Sequence, residues 1–416
     1  MNKQFIIFII LIFFNFARAQ EKPIIEWIDN NALNISNSNQ TNDINIPFDR
    51  MSEKFKNARI YGFGEASHQH KDFFNLKTKF FKYLVINNNL KILFLEESFG
   101  GAYSANKYVK NGEGNPVEII KNFRQGFLHT SEMLSLIEWI KTYNESQTIQ
   151  NQIQIYGMDC MFNYNIVSIL ESIFQENNFE LKSNILELFK KYKVEKFEPY
   201  KIKEITAEIS QIQSVQDSIK NISLFKNKQD ALNGLEALKS YITFMNEPTQ
   251  NIRDKNMADL IFYASDFKKA FISAHNYHIQ KTELPPITSI PSLGNWLEKK
   301  IGLKYYSVGF DFGVGKVKGY NKDKKWEEAE INTVTKNTFT ETFFKSSKAI
   351  FYFDFSEAIK DEKMNNFLTK NNYYLGIGGY GILPRQIKYA LIKGKLFEMY
   401  DALIFVKKVT LNSLLK

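Results

Sequence analysis

The chain has 416 residues, one cysteine and a formal net charge of +9 at pH 7. Its length is sufficient for a full hydrophobic core, and a single cysteine excludes an intramolecular disulfide. Its lysines are scattered and no arginine-rich block occurs, so the positive charge predicts a solvated surface and no nucleic-acid partner.

Residues 1–19 have the pattern of a cleavable secretory signal peptide. Lys3 is basic, residues 5–16 are mostly apolar, and small residues flank Arg18. The apolar run is too short to span a membrane. Without Lys3 and Arg18 the formal charge is 9 − 2 = +7. We therefore predict a secreted or periplasmic protein with no stable membrane insertion.

After this segment, strand and helix patterns alternate, which is typical of an α/β fold. Helices are predicted at 24–29, 71–87 and 251–267, with further helical stretches up to residue 144. Strands are predicted at 59–63, 92–95, 153–156, 270–274, 305–310, 349–354 and 402–406. Because these strands are apolar throughout, we predict a central, largely parallel sheet that is flanked by helices and buried on both faces.

The strand pattern disappears between residues 164 and 250. Glycines are few there, and Lys, Glu, Leu and Ile recur at helical spacing. We predict three or four helices in a lid-like insertion at 164–250. This insertion would divide one α/β catalytic domain into residues 20–163 and 251–416.

A glycine-rich motif and the single cysteine are not predicted to carry chemistry. The glycines at 376, 378 and 381 match a dinucleotide-binding fingerprint, but Pro384 follows and no long helix begins there, so we predict a loop and no cofactor. Cys160 lies among apolar residues and is predicted to be a small buried hydrophobe. No G-x-S-x-G motif occurs, which argues against a serine hydrolase of the α/β type.

Five predicted strands run into ionisable residues, namely Glu65 with His68, Glu96 with Glu97, Asp159, His275 with His278, and Asp311. Ligands of parallel α/β sheets bind beyond the carboxyl ends of the strands, so we expect these side chains to converge on one site. Acids and histidines together suit acid–base chemistry or metal binding. For Glu97, Asp159 and Asp311 the simpler expectation is that they cap the next helix.

His68 and His70 lie in the turn before the helix at 71–87. The positive end of a helix dipole favours a neutral imidazole, which can accept a proton as a general base must. Glu65, three residues before His68, is placed to orient it. The alternative is a polar turn with Ser67 as a helix cap.

Lys77 lies in the middle of the apolar stripe of the same helix, four residues after Phe73 and three before Phe80. An ammonium group on a buried face needs an anionic partner, and Glu65 and Glu96 are the candidates. The alternative is a side chain that reaches out to solvent.

The histidines are clustered. The chain has five, and four of them, at 68, 70, 275 and 278, fall in two predicted strand-end turns. His275 and His278 form an H-x-x-H motif. Such clustering favours a functional role for these histidines.

The sequence resembles the erythromycin esterase family. The resemblance runs in the family's order over most of residues 55–315, through GFGEASHQHKDFFNLKTKFFKYLV, LFLEESFGGAYSANKYV, SEMLSLIEWIKTYN, YGMDC, AHNYHI and SVGFDFG, and more weakly in DALIFV. It implies hydrolysis of an ester, in the named members a macrolide lactone, by activated water without a serine nucleophile. It also implies no metal cofactor and a small-molecule ester or macrolide as substrate.

Residue by residue, the resemblance assigns the family's catalytic positions to Glu65, His68, Glu96, His275 and His278. The family's usual arginine on the first helix aligns with Lys77, which keeps the charge and loses the bidentate fork. Lys77 and Glu96 are expected to fix the charge pattern of the site.

We hypothesise that His68, held by Glu65, activates a water that attacks the ester carbonyl. His275 or His278 would stabilise the oxyanion or protonate the departing alkoxide. Two alternatives stay open: a periplasmic binding protein without activity, and a zinc hydrolase with ligands drawn from His68, His70, His275, Glu65 and Glu96. The natural substrate and the oligomeric state are not predicted.

Overall fold

The computed structural model describes residues 21–35, 50–195, 205–266, 268–284 and 289–415. The predicted signal peptide at 1–19 lies outside these ranges, so it stays a prediction. Inside them, no helix combines the length and the apolar character that a membrane crossing requires.

The three helices and seven strands predicted with bounds are present to within three residues at each end, except at one strand, and further elements had no predicted bounds. The helices are α1 (21–31), α2 (Glu53–Asn57), α3 (Lys71–Asn88), α4 (Phe99–Asn111), α5 (Pro116–Lys121), α6 (Ser131–Glu145), α7 (Ile166–Glu176), α8 (Ser183–Tyr192), α9 (Ile205–Lys220), α10 (Lys228–Asn246), α11 (Gln250–Ser265), α12 (Asn276–Ile279), α13 (Leu293–Ile301), α14 (Phe339–Phe344), α15 (Phe355–Ala358), α16 (Glu362–Thr369) and α17 (Leu396–Met399). The strands are β1 (Leu33–Asn34), β2 (Ile60–Phe63), β3 (Ile92–Leu95), β4 (Gln154–Gly157), β5 (Ala270–Ser273), β6 (Tyr305–Tyr320), β7 (Trp326–Ile331), β8 (Ile350–Asp354), β9 (Asn372–Leu375), β10 (Leu391–Gly394) and β11 (Ala402–Val409).

The fold is α/β, with a nine-stranded, mostly parallel sheet flanked by helices. Strand β5 pairs in parallel with β2 and β3, β3 with β4, and β11 with β6. The antiparallel pairs are β1 with β8, β8 with β11, and β6 with β7. Every residue of β2, β3 and β5 is buried. The predicted fold class is therefore confirmed.

The chain divides into two compact units. The first comprises the described residues of Met1–Lys56, Gly64–Phe80 and Ser307–Leu411. Within it the strand order is β1-β8-β11-β6, with β7 beside β6. Its core contains a cluster of buried phenylalanines, with Phe343 packed edge-on against Phe351 and Phe353.

The second unit comprises the described residues of Asn57–Phe63, Phe81–Tyr306 and Asn412–Lys416. Its strand order is β2-β5-β3-β4. The elements described between residues 164 and 246 are four helices, α7 to α10, in agreement with the predicted three or four. Helix α10 packs against α7, α9 and α11. The bounds of a separate insertion and its role as a lid stay predictions.

Strand β6 is much longer than the predicted 305–310. Its second half pairs with β7, from Gly315 opposite Ile331 to Tyr320 opposite Trp326. Both segments alternate polar and apolar residues, so neither shows the continuous apolar run used to predict strands. As a consequence Asp311 lies inside a strand and not at its end, where it accepts a hydrogen bond from Thr340 Oγ1 at 2.8 Å.

Candidate active site

A buried group of ionisable residues, Glu65, His68 and Lys77, lies in the first unit and is called here the Glu65 cluster. Glu65 follows β2, His68 lies in the turn before α3, and Lys77 lies within α3. Glu65 Oε1 is 2.5 Å from His68 Nδ1, and Glu65 Oε2 accepts a hydrogen bond from Lys77 Nζ. The side chains of Glu65, His68 and Lys77 are 7%, 8% and 5% exposed. The structure thus joins three predicted site residues in one contact network.

The burial of Lys77 follows from the pattern of α3. Phe73 and Phe80 on the same face are almost fully buried, and Lys77 itself is 4% exposed. Its ammonium lies 5.5 Å from the centre of the Phe74 ring, which adds a cation–π contact. The prediction of a buried, paired lysine is confirmed, with Glu65 as the partner.

The protonation of Glu65 sets the tautomer of His68. Burial raises the pKa of Glu65, but the charge of Lys77 and the hydrogen bond from His68 outweigh it and lower the pKa to about 2. Glu65 is therefore a carboxylate at neutral pH and accepts a hydrogen bond from the Nδ1–H group of His68. In a neutral ring this leaves the lone pair on Nε2, which is the arrangement of a general base.

A glycine-rich loop passes the Nε2 edge of His68. A Cβ atom built on Gly379 would lie 3.9 Å from His68 Nε2. The loop belongs to the segment that matched a dinucleotide fingerprint by letters, and it contains no helix, as predicted. At position 379 the loop therefore places no side chain against the imidazole.

His70 has a different role from His68. It is 3% exposed, its Nε2 donates to the backbone oxygen of Lys316 at 3.0 Å, and its ring packs against Phe73 and Phe312. Burial lowers the pKa of His70 to about 4. His70 is therefore a neutral core residue.

The second buried group lies in the second unit and is called here the Glu96 cluster: Glu96, Asp159, Arg253, Asp254 and His278. Arg253 on α11 is its centre. Arg253 Nη2 donates to Glu96 Oε1 at 3.1 Å and to Asp159 Oδ2 at 2.8 Å, and Arg253 Nε donates to Asp159 Oδ1 at 3.1 Å. Burial lowers the pKa of Arg253, but the charges of Asp159 and Glu96 outweigh it and raise the pKa. The guanidinium thus holds together the carboxylates that follow β3 and β4.

His278 is held between two carboxylates of this cluster. Its Nδ1 is 2.8 Å from Asp254 Oδ1, and its Nε2 is 3.3 Å from Glu96 Oε1. Burial lowers the pKa of His278, but the charges of Asp254 and Glu96 outweigh it and raise the pKa to about 10. At neutral pH the ring is an imidazolium that donates to both acids, so its 3.4 Å approach to Arg253 Nη1 is not a hydrogen bond. His278 cannot serve as a base.

His275 differs from His278 in charge and in contacts. Its backbone N–H donates to Glu96 Oε2 at 3.1 Å, and its Nδ1 accepts from the Tyr277 N–H at 3.1 Å. With Nδ1 as an acceptor, the ring carries its proton on Nε2. The two histidines of the H-x-x-H motif are therefore in different protonation states.

The structure also shows the environment of Glu97 and of Cys160. Glu97 is fully buried, and its carboxylate accepts the backbone N–H groups of Arg124 and Gln125, each at 2.9 Å. It therefore anchors a loop. Cys160 is 3% exposed and burial raises its pKa, as expected for a buried hydrophobe.

Sequence reasoning missed Arg253 and Asp254, which follow no strand and lie near the start of α11. Both are on α11; Asp254 is 0% exposed, and the side chain of Arg253 is 12% exposed. Arg253 lies four residues before Met257, and Asp254 lies seven before Ile261, which are buried apolar residues of the same helix. The signal that found Lys77 was a charged residue in an apolar stripe, and it is weaker here, because Asn256 lies three residues after Arg253.

The geometry of both groups can also be compared with metal sites. Within the ranges that the structure describes, histidine, cysteine and acidic side chains do not gather in threes in a way that could hold a metal ion. The predicted convergence of all strand-end residues on one site stays a prediction.

The chain matches the family model described as erythromycin esterase over residues 86–409. The matched region contains the whole Glu96 cluster and His275. It begins after Glu65, His68 and Lys77, so the assignment of these three rests on their geometry and on the motifs around them. No curated protein matches the sequence.

Solved structures share the fold. A succinoglycan biosynthesis protein is 21% identical with a TM-score of 0.76, and the alignment covers 95% of this chain and 99% of that chain. A protein from Bacillus cereus is 20% identical with a TM-score of 0.77, at 95% and 99% coverage. A mutant of the erythromycin esterase EreC in its open conformation is 15% identical with a TM-score of 0.56, at 89% and 95% coverage. At these identities the likeness bears on the fold alone.

Proposed function

The chain belongs to the erythromycin esterase family, and we propose that it is a secreted hydrolase that cleaves a carboxylic ester or a macrolide lactone with a histidine-activated water. Family membership supports the coarser assignment, an esterase-type hydrolase. The finer proposal is carried by one observation, the 2.5 Å contact between Glu65 Oε1 and His68 Nδ1.

In the proposed reaction His68 is the general base. Its Nε2 takes a proton from water while the water oxygen bonds to the carbonyl carbon of the ester. The tetrahedral oxyanion then collapses, the bond to the alcohol oxygen breaks, and the proton on Nε2 passes to the leaving alkoxide. The products are a carboxylic acid and an alcohol, together heavier than the ester by one water. General base catalysis of this kind contributes roughly 10²–10⁴-fold.

Glu65 and Lys77 make this cycle feasible. Glu65 fixes the tautomer of His68 and stabilises the imidazolium that forms. Lys77 holds the carboxyl of Glu65 in its charged form, with a pKa of about 2, so Glu65 does not take the proton itself. The lysine therefore provides the positive charge and one hydrogen bond, without the forked donor of the family's usual arginine.

The Glu96 cluster gives the two H-x-x-H histidines separate tasks in the proposal. His275 is neutral and carries its proton on Nε2, so its ring can act as a hydrogen-bond donor. His278, already an imidazolium between Asp254 and Glu96, is proposed to hold Glu96 in place. Glu96 in turn accepts the backbone N–H of His275.

The test is a mass analysis of the products formed from a 14-membered macrolide lactone and from p-nitrophenyl acetate. We expect a gain of one water, and a rate that falls at least a hundredfold in His68→Gln. His129→Gln is the matched control, because a glutamine amide can still donate to the Phe123 oxygen that His129 contacts at 3.0 Å. Chelator-sensitive turnover with one equivalent of zinc would support the metal-dependent alternative. Binding of lactone without any hydrolysis would support the inactive binding protein.

A further inference from the structure

Three aromatic side chains of the first unit, Tyr320, Trp326 and Tyr380, form a surface cluster called here the aromatic platform. Tyr320 ends β6, Trp326 begins β7, and Tyr380 lies in the glycine-rich loop. The rings of Tyr320 and Tyr380 are stacked with centroids 5.1 Å apart, and those of Tyr320 and Trp326 are 4.3 Å apart. Trp326 is 44% and Tyr380 71% exposed. Stacked yet solvated aromatic rings are typical of binding surfaces.

The platform lies next to the proposed base. Tyr380 directly follows Gly379, and a Cβ on Gly379 would be 3.9 Å from His68 Nε2. Consecutive Cα atoms are about 3.8 Å apart. The backbone of Tyr380 is therefore one residue away from the position that borders the His68 imidazole.

Backbone hydrogen bonds fix the platform on strand β6. The Tyr320 N–H donates to the Tyr380 oxygen at 3.1 Å, and the Ile382 N–H donates to the Lys318 oxygen at 3.2 Å. Gly381 between them has φ +66°, and a Cβ there would lie 1.9 Å from the Lys318 oxygen, so only glycine fits. Tyr380 is thus held at a defined place, and its exposure is not the result of an unattached loop.

The charges beside the platform compensate one another. Glu327 accepts two hydrogen bonds from Arg385 at 2.9 and 3.0 Å, and Glu328 is 3.9 Å from Lys318 Nζ. Lys318 Nζ also lies 6.0 Å from the centre of the Trp326 ring. Because each of these charges has a counter-charge, they offer no net attraction for a cationic amino-sugar, and a neutral ring suits this surface better.

We propose that the aromatic platform binds a neutral sugar ring of the ester substrate and so selects sugar-bearing esters over simple ones. The C–H face of the ring would stack on Tyr380 and Trp326 while the ester lies at His68. The proposal rests on the proposed function, in which His68 activates water. The aromatic platform would determine substrate specificity, whereas hydrolysis of the ester by the water that His68 activates does not require it.

The first test compares two substrates, a macrolide lactone that carries a neutral sugar and the same lactone without that sugar. In wild type we expect a lower KM for the sugar-bearing lactone. In Tyr380→Ala and Trp326→Ala the ratio of kcat/KM between the two lactones should fall roughly tenfold, the scale of a lost stacking contact. Tyr389→Ala, which removes a 79% exposed tyrosine outside the platform, should leave this ratio unchanged. An equal ratio in wild type and Tyr380→Ala would overturn the proposal.

The second test does not depend on turnover. The sugar-bearing lactone is titrated into His68→Gln, and tryptophan fluorescence is followed, with Trp326→Phe identifying the signal of Trp326. A saturable change that is lost in Tyr380→Ala supports the platform even if no ester is hydrolysed, in which case only the proposed reaction fails. Hydrolysis with no fluorescence response overturns the platform and leaves the reaction standing. Self-association of the chain that Tyr380→Ala abolishes, without any response to lactone, would show that the platform binds protein and would also overturn the proposal.

Discussion

Lys77 and Glu65 form an ion pair inside the first unit, with side chains that are only 5% and 7% exposed. A pair so buried gains from its mutual attraction but loses the hydration of both charges. The ion pair also bears on function, because the other oxygen of Glu65 contacts Nδ1 of His68. The same carboxylate therefore serves as the counter-ion of a buried lysine and as the orienting group of the proposed base.

Replacing Lys77 by methionine should destabilise the fold by about 3–5 kcal/mol, because it leaves the Glu65 carboxylate buried without compensation. The rate should fall as well, since the pKa of Glu65 would rise and His68 would lose its orientation. Lys77→Arg keeps the charge and should retain the fold while altering the rate on macrolides. Urea unfolding and rates for both variants provide the measurement.

The control is Lys71→Met at the start of the same helix, where the side chain is half-buried. A substitution there should change the free energy of unfolding by no more than about 0.5 kcal/mol. If Lys77→Met is as mild as Lys71→Met, the ion pair does not contribute as described.

The pH dependence of stability should reflect Glu65 on the acid side. Its pKa is lowered from 4.5 to about 2, so the stability it contributes is complete above pH 4.5 and is lost as the pH falls towards 2. The double variant Glu65→Gln with Lys77→Met should lack this loss. Thermal melts of both proteins between pH 2 and pH 6 measure the difference, and parallel curves would contradict the assignment.

His278 should produce the opposite dependence on the alkaline side. Its pKa is raised from 6.5 to about 10, so its contribution is complete below pH 6.5 and is lost as the pH rises towards 10. We expect the free energy of unfolding of wild type to fall between pH 6.5 and pH 10, and that of His278→Gln to fall by a smaller amount. An NMR titration of the His278 ring checks the premise directly: a midpoint near 6.5 would show that Asp254 and Glu96 do not hold the proton.

Arg253 should be coupled energetically to Asp159, which accepts two of its N–H groups. Arg253→Met and Asp159→Asn are each expected to cost about 3–5 kcal/mol, because each leaves a buried charge without its partner. The double variant should cost less than the sum of the two. A double-mutant cycle by urea unfolding measures this coupling, and strict additivity would show that the contact is weak.

Short-range patterns made part of this molecule predictable. Lys77 stood out because its helix neighbours are apolar at spacings of three and four, and that pattern needs no knowledge of the rest of the chain. Arg253 has only one apolar neighbour at these spacings, Met257, and its partners Glu96 and Asp159 are 157 and 94 residues away in sequence, so the pairing depends on how the strands are ordered in the sheet. The segment 326–331 escaped prediction because an exposed strand needs no apolar run.

The last prediction concerns the loop at the Nε2 edge of His68, where two neighbouring glycines provide a matched pair. A Cβ on Gly379 would meet the imidazole at 3.9 Å, whereas a Cβ on Gly378 would meet nothing within 4 Å. Both residues are exposed, so neither substitution fills the core. Gly379→Val should place methyl groups over Nε2 and lower kcat/KM at least tenfold.

Gly378→Val should leave the rate near that of wild type, because its side chain points into open space. The melting temperatures of the two variants should agree with each other, which separates obstruction of the base from damage to the fold. Rates on p-nitrophenyl acetate are the appropriate measurement, since this ester is too small to depend on the aromatic platform. If the two variants are equally active, the loop does not border the reacting nitrogen, and the proton must be taken up elsewhere than at Nε2 of His68.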